Sequence, residues 1–243
     1  MKNLIATGSV LFVAAAAYAA PMNPGVTYND AINDISPGIS AGNGTLDLVS
    51  MEVSNTATDI QFALRVNGNV SDTNWGKFMI GIAAGGAPAS NGNGWGRPIN
   101  MDSPAGGMTS WLGSWVDGGG GGAENRTFSG GNWGLTGATY NGNFGSFAIS
   151  PGATSTVTFT VSLASLGLSE GSTFYFDAYS SGGNNGDGAV DALANPGVSI
   201  SDWGNSYTSQ GNNLFSYTVT AIPAPGAMAL LALAGAVGSR RRK

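Results

Sequence analysis

A strict alternation of apolar and polar or small side chains constrains the fold of this chain more than any other feature. It occurs twice, once through Ile60, Phe62, Leu64 and Val66 and once through Val157, Phe159 and Val161, which alternate with threonines. Successive side chains of a β-strand point to opposite faces of the sheet, so each segment predicts a strand with one buried face. Strands of this kind need a second layer to cover that face, which favours an all-β protein.

Five further segments have the composition of strands, and turn-forming Gly and Asn residues separate several of them. They are residues 46–54, 77–83, 146–149, 173–179 and 214–220. One helical hint is a single turn over 163–168 that ends at a glycine. We therefore expect a single jelly-roll-like β-sandwich over residues 20–221.

Residues 85–145 interrupt this pattern with a stretch rich in Gly, Asn and Ser, including the five glycines of 118–122. This composition is also typical of a flexible linker between two domains. Flexible linkers seldom contain large aromatic residues, however, and four tryptophans lie within this stretch. We therefore expect long Gly/Asn-rich ordered loops, or short strands with wide loops, on one sandwich.

The N-terminal residues have the pattern of a secretory signal peptide. Lys2 precedes an apolar segment over 4–17, and Ala17 and Ala19 form the small-x-small sequence that precedes a cleavage site. The pattern predicts a signal peptide over 1–19 and export of the remaining chain.

The C-terminal residues 222–243 contain a second signal, in which a proline-rich start leads into an apolar segment and a basic end. Its motif residues are Pro223, Ala224, Pro225, Gly226, Arg240, Arg241 and Arg242. A spanning helix needs about 20 apolar residues, so this short apolar helix fits a transient membrane insertion better than a lasting anchor. A permanent membrane anchor is the alternative.

This tail resembles the PEP-CTERM sorting signal of Gram-negative bacteria, with Pro223-Ala224-Pro225 in place of the usual Pro-Glu-Pro. The resemblance implies an exosortase-like processing enzyme as a partner and cleavage near Pro225. It also implies delivery to the outer surface of the cell envelope or to the extracellular matrix. The function expected from it is a non-enzymatic structural role in the envelope or in exopolysaccharide.

The charge of the exported part limits its partners. The whole chain has a net charge of −5, but five of its nine basic residues lie in the two terminal signals. Residues 20–239 keep four basic side chains against all fourteen acidic ones, a net charge of −10. This balance repels nucleic acid and anionic membranes, and it favours cations or neutral ligands.

The chain contains no Cys and no His, which excludes disulfides, Ser-His-Asp and Cys-His nucleophilic sites and the usual zinc ligand sets. Carboxylates remain as acids and bases. Glu52, Glu124 and Glu170 do not indicate a catalytic pair in their sequence contexts. We do not expect an enzyme.

The first group of candidate binding residues is aromatic. Flat indole rings beside Asn and Asp suit the faces and hydroxyl rims of sugars, and binding residues are frequent on loops. Packing in the core is the alternative for each ring. The candidate glycan-binding residues are Trp75, Trp95, Trp111, Trp115 and Trp203.

The second group is acidic and predicts Ca²⁺, which proteins hold with oxygen ligands. The candidate ligands are Asn185, Asp187 and Asp191 in one Gly-rich loop, and a second cluster contains Asn29, Asp30, Asn33 and Asp34, which Asp47 could join. The loop lacks the ligand spacing of an EF-hand, and Asx turns that solvate loops are the alternative. A Ca²⁺ ion bound there is expected to be structural.

The first strands resemble the opening of DOMON-like and family-9-type carbohydrate-binding sandwiches. The resemblance rests on residues 47–53, 59–64 and 75–80: an aspartate-initiated strand, a second strand, and a hairpin with aromatic residues. It implies a jelly-roll-like sandwich, a glycan ligand and Trp75 as a contact. A carbohydrate-binding module is therefore the alternative to the structural role.

Overall fold

The computed structural model describes residues 22–35, 39, 44–73, 75–116, 121–195 and 202–222. The predicted signal peptide, with Ala17 and Ala19, and the sorting motif from Pro223 onward lie outside the described residues. Within the described ranges, no helix is long and apolar enough to cross a membrane.

Fourteen strands and three short 3₁₀ turns make up the described part of the chain. The strands are β1 (Val26–Asn29), β2 (Leu48–Asn55), β3 (Asp59–Val66), β4 (Lys77–Ala84), β5 (Ile99–Asp102), β6 (Ser110–Trp115), β7 (Gly122–Ser129), β8 (Asn132–Ala138), β9 (Ser146–Ser150), β10 (Ser155–Ser162), β11 (Thr173–Ser181), β12 (Asp191–Ala192), β13 (Tyr207–Gln210) and β14 (Phe215–Thr218). The 3₁₀ turns are Val70–Asp72, Thr139–Asn141 and Leu163–Leu166, so the predicted helical turn near residue 163 is present.

The expected all-β sandwich is confirmed. Sheet A has the strand order β1-β2-β3-β10-β9 and contains both alternating segments, which pair as β3 and β10 with Phe62 opposite Phe159. Sheet B has the order β12-β11-β4-β6-β7-β8, and β14 also pairs with β11. Both sheets are antiparallel, while β5 and β13 form a separate parallel ribbon.

The main core lies between the two sheets. The apolar residues of β3 are fully buried, and the ring centroid of Phe62 lies 6.2 Å from that of Phe174 and 6.4 Å from that of Phe176 in β11. Burying a side chain of this size contributes roughly 1.5–3 kcal/mol relative to leaving it exposed. The alternation of β3 therefore positions sheet A on sheet B.

The stretch 85–145, for which we expected long ordered loops or short strands with wide loops, contributes strands to the sandwich. It contains β6, β7 and β8, which are six, eight and seven residues long and extend sheet B beyond β4. β6 lacks a clear alternation because it is buried along most of its length, on both faces of the sheet. A strand covered on both sides has no polar face to mark it.

Strand register determines which side chains share the outer face of sheet B, the face directed away from sheet A. Residues that are direct partners in neighbouring antiparallel strands lie side by side on one face. One outer row is Ser181, Lys77, Trp115 and Gly122, and the next is Tyr179, Met79, Gly113 and Glu124. The outer face therefore combines basic, aromatic and glycine positions at one end of the sheet.

The β5–β13 ribbon covers another part of this outer face, and a buried carboxyl group supports it. The Ser209 hydroxyl donates to Asp177 Oδ2 at 2.6 Å, and Ala194 N–H donates to Asp177 Oδ1 at 2.9 Å. Ser209 Oγ also lies 2.7 Å from the Tyr179 hydroxyl. Complete burial raises the pKa of Asp177 to about 7 despite these hydrogen bonds.

This raised pKa makes the free energy of unfolding depend on pH. Folded Asp177 keeps a proton that the same residue of the unfolded chain releases near pH 4. Its contribution to the unfolding free energy is therefore fully present below about pH 4. The contribution is lost as pH rises toward about 7, by up to about 1.4 kcal/mol per pH unit. Asp177→Asn keeps an acceptor for Ala194 N–H. We expect it to reduce the change of the unfolding free energy per pH unit, which is measured by urea unfolding at a series of pH values. Asp102→Asn, at an exposed carboxylate, is the control. An equal pH dependence of the unfolding free energy in the wild type and in both variants would contradict the role given to Asp177.

Candidate functional site

Two partly exposed tryptophans pack against glycines on the outer face of sheet B. A Cβ atom on Gly113 in β6 would overlap the ring of Trp95, and one on Gly122 in β7 would overlap the ring of Trp115. Glycine inside a strand costs roughly 0.5–1 kcal/mol relative to alanine, so these positions are unfavourable for strand formation alone. Their packing role is to let the indole rings lie close to the sheet.

A first pocket of about 350 Å³ lies between the start of β4 and the segment that follows β11. Trp75 and Trp203 line it and meet edge to face, with ring centroids 5.8 Å apart and an interplanar angle of 76°. The segment contributes Gly182, Gly183, Asn184 and Asp187 to the wall. Both tryptophans are partly exposed, so apolar ring surface borders the pocket.

The carboxylate of the first pocket is held in place by its own loop. Asp187 Oδ2 accepts a hydrogen bond from Asn184 N–H at 2.9 Å. A Cβ atom on Gly182 would overlap both this carboxylate and the ring of Trp203. Glycine at position 182 therefore allows a tryptophan and a carboxylate to lie side by side.

A second pocket of about 270 Å³ lies beside the first and is lined by Lys77, Trp95, Arg97, Trp115 and Asn185. Asn184 and Asn185, adjacent in the chain, line one pocket each. Arg97 Nη1 donates to the main-chain oxygen of Asp187 at 3.1 Å, which joins the two pockets through a hydrogen bond. We call the two pockets together the tryptophan groove.

An acidic and an aromatic residue contact the two tryptophans of the second pocket. Glu124 Oε1 accepts hydrogen bonds from Trp95 Nε1 and from Arg126 Nε, the latter at 2.5 Å. Tyr140 is 63% exposed, and its ring centroid lies 6.4 Å from that of Trp115. Aromatic surface therefore continues past the second pocket.

Trp111 is a correction to the predicted glycan-binding set. It is fully buried, and its ring stacks on that of Tyr179 with centroids 5.9 Å apart and an interplanar angle of 22°. The ring centroid of Trp95 lies 6.2 Å from that of Trp111. Trp111 is thus a core residue beneath the groove, while the other four predicted tryptophans line it.

An acidic cluster lies where an edge of sheet A meets an edge of sheet B. Asp30 directly follows β1, Asp191 begins β12, and carboxylate oxygens of Asp30, Asp34 and Asp191 all lie within 4.8 Å of one another. Leu48 N–H donates to Asp191 Oδ2 at 2.6 Å, which ties β2 of sheet A to β12 of sheet B. These three carboxylates could hold a metal ion.

The electrostatics of the cluster are unfavourable for three bare carboxylates. Burial and the charge of Asp34 raise the pKa of Asp30 to about 8. Burial, followed by the charge of Asp30, raises the pKa of Asp191 well above its usual range. Asp30 Oδ2 is buried and accepts no hydrogen bond within the described residues. A cation would relieve both the repulsion and the missing contact.

The predicted ligand set is corrected by this arrangement. Asn185 and Asp187 line the tryptophan groove, and Asp191 is grouped with Asp30 and Asp34 of the second predicted cluster. Asp47 has another role, since both its oxygens accept from Asn33 N–H at 3.1 and 2.9 Å and Oδ2 accepts from Asn67 Nδ2 at 2.7 Å. Proximity in sequence suggested that Asn185, Asp187 and Asp191 bind one ion together. The pairing of β12 with β11 instead places Asp191 at the edge of sheet B.

The glycine beneath Trp95 provides a direct test of the groove geometry. Gly113→Ala places a methyl group in the volume of the Trp95 ring, and such overpacking costs typically about 1–3 kcal/mol. We expect a lower unfolding free energy and a changed tryptophan fluorescence spectrum. Gly134→Ala is the matched control, because a Cβ on this strand glycine meets its nearest atom at 4.0 Å. Equal effects of the two substitutions would contradict the packing role of Gly113.

Comparisons with protein-family models and with curated proteins find no match to this chain.

Proposed function

We propose that this protein is an exported, cell-surface protein that binds polysaccharide in the tryptophan groove and has no catalytic role. The observation that carries the proposal is the position of four tryptophans, Trp75, Trp95, Trp115 and Trp203, around two adjoining pockets. The signal peptide and the PEP-CTERM-like tail, with an exosortase-like enzyme, supply the expected location at the envelope or in the matrix.

The chemistry of the groove suits sugars. Partly exposed indole rings offer apolar surface to the C–H faces of a pyranose, and the volume of the first pocket is in the range of small-molecule sites. Asn184, Asn185 and Asp187 offer amide and carboxylate groups to hydroxyls at the same place. A few polar groups among aromatic side chains is the usual composition of a specific ligand site.

A purely structural role in the matrix is the competing proposal from the sequence. It accounts for sorting and for the acidic surface, but it requires no tryptophan at the surface. Aromatic side chains stabilise proteins mainly by burial, as Trp111 does in this structure. Four indole rings are partly exposed around one groove, and two of them pack closely on Gly113 and Gly122. This arrangement favours ligand binding over a purely structural role.

Removal of one ring from the first pocket is expected to weaken binding. For Trp75→Ala in the full-length protein, we expect at least a roughly tenfold loss of affinity for any polysaccharide that binds, which corresponds to about 1.4 kcal/mol. Binding is measured by calorimetry and by quenching of tryptophan fluorescence across neutral and acidic polysaccharides. Trp133→Ala is the control, because Trp133 packs on Phe128 in the β7–β8 hairpin, outside both pockets.

Three outcomes decide the matter. A selective loss in Trp75→Ala supports the groove as the binding site. Equal affinities of the two variants place binding elsewhere and contradict the proposal. An absence of binding to every polysaccharide in the panel favours the structural role.

We further propose that the acidic cluster binds Ca²⁺ in a structural role. Oxygen ligands at 2.3–2.6 Å from a Ca²⁺ ion lie at most about 5 Å apart, which the 4.8 Å limit of the three carboxylates satisfies. An all-oxygen set matches Ca²⁺ rather than zinc. Because the cluster joins β1 and β12, an ion there would fasten an edge of sheet A to an edge of sheet B.

Asp30→Asn is expected to act in opposite directions with and without the ion. In chelator, the substitution removes a repelling carboxyl group and raises the melting temperature. In Ca²⁺ at about 100 times its Kd, the wild-type melting temperature rises by about 5–10 °C, and that of Asp30→Asn rises much less. Asp102→Asn is the exposed control. A wild-type melting curve that Ca²⁺ and chelator leave unchanged would disprove the ion site.

A further inference from the structure

The basic side chains of the exported part are concentrated on one face of the molecule. Residues 20–239 contain four of them against fourteen acidic residues, and two of the four, Lys77 and Arg97, line the second pocket. A third, Arg126, pairs with Glu124 beside Trp95, and Arg65 is exposed on sheet A. Because the exported part has so few basic side chains, the presence of two of them in one pocket indicates a negatively charged ligand.

Arg97 is held rigidly in this position. It is 5% exposed, and its Nη1 donates to Ser181 Oγ at 2.8 Å and to the main-chain oxygen of Asp187 at 3.1 Å. Its Cζ lies 5.5 Å from the ring centroid of Trp95, a cation–π arrangement. The guanidinium is therefore fixed before any ligand arrives, which reduces the entropy lost on binding.

The hydrogen bonding of this guanidinium is incomplete. Arg97 Nε is buried and has no hydrogen-bond partner within the described residues. Nη1 donates to a hydroxyl and to a carbonyl, neither of which carries a negative charge. Burial lowers the pKa of Arg97, and the charge of Asp187 opposes that effect. A buried cation that lacks a full set of partners is stabilised by an anion in the pocket that it lines.

We infer that the second pocket binds a negatively charged sugar residue, so that the ligand is an acidic polysaccharide. This inference rests on the proposed glycan binding and names its substrate class. Trp95 and Trp115 pack on the sugar ring, while Lys77 and Arg97 attract its carboxylate or sulfate group. The first pocket, with Asp187 and no basic lining residue, takes a neutral neighbouring sugar.

The negative charge of the whole domain does not oppose this assignment at close range. At physiological ionic strength the Debye length is about 8 Å, so exposed carboxylates farther away are largely screened. Groups within the pocket interact with less screening and decide the preference. The same physics predicts that affinity for the acidic ligand falls as salt is added.

The test compares oligogalacturonate with its fully methyl-esterified form, which has the same backbone without charge. Calorimetry on the full-length protein is expected to show roughly tenfold tighter binding of the acidic form, as for a hydrogen bond to a charged group. Lys77→Gln removes one of the two cations of the pocket and should reduce this preference, and Arg65→Gln, with an equal charge change on sheet A, should preserve it. The affinities for dextran sulfate and for uncharged dextran are compared in the same way, to test whether a sulfate group can replace the carboxylate. Arg97 itself is left intact, because its side chain holds Ser181 and the loop at Asp187.

The outcomes separate this inference from the proposed function. Equal binding of acid and ester overturns the inference and leaves glycan binding standing. A preference that Lys77→Gln leaves unchanged also overturns it, and this is the result expected if Ca²⁺ bridges ligand and protein carboxylates elsewhere. A lack of binding to these acidic ligands, with neutral polysaccharides bound in the broader panel, overturns the inference alone. No binding to any polysaccharide overturns both.

Discussion

The central strands β11, β4 and β6 of sheet B are buried along most of their length on both faces, and their hydrogen-bond register decides which side chains face sheet A and which face outward. Phe174 and Phe176 face sheet A, whereas Tyr179 and Asp177 face the β5–β13 ribbon. A slip of one residue would exchange the two sets. The groove depends on the same register, because Lys77 and Trp115 are direct partners in it.

The loop after β11 connects the two candidate sites physically. Its residues Asn184 and Asp187 line the groove, and it ends at Asp191, which belongs to the acidic cluster. The loop is fastened in the middle as well, since Ser181 Oγ donates to the Gly188 carbonyl at 2.6 Å and Gly188 N–H donates to the Trp203 carbonyl at 2.7 Å. An ion at Asp191 would therefore fix one end of the loop that carries Asn184 and Asp187, which line the groove.

The sequence predicted the strands in which apolar side chains dominate or alternate with polar ones. Residues 77–83 and 173–179 lie in β4 and β11, which are buried along almost their whole length. The alternation of 60–66 and 157–161 identified β3 and β10, in which the intervening side chains Gln61, Arg65, Thr158 and Thr160 are half-buried or exposed. β6 escaped prediction because its core face carries Ser110 and Ser114 beside Leu112, and its outer face carries Gly113 between two tryptophans. Neither an apolar run nor an alternation therefore marks this strand. The four groove tryptophans were recognisable as candidates, but their difference from Trp111 was not, since the burial of Trp111 depends on Tyr179 and Trp95, which pack against its ring.

The acidic cluster shows a different limit. Local sequence grouped Asp191 with Asn185 and Asp187 because all three lie in one loop, and it grouped Asp30 with Asp34 in another. Carboxylates that repel one another are brought together only by long-range pairing, here through Leu48 N–H and the β11–β12 ladder. Such an arrangement costs free energy unless protons or a cation compensate it. Protonation of Asp30, whose pKa is raised to about 8, removes charge without adding a link between the sheets, whereas a cation would add one.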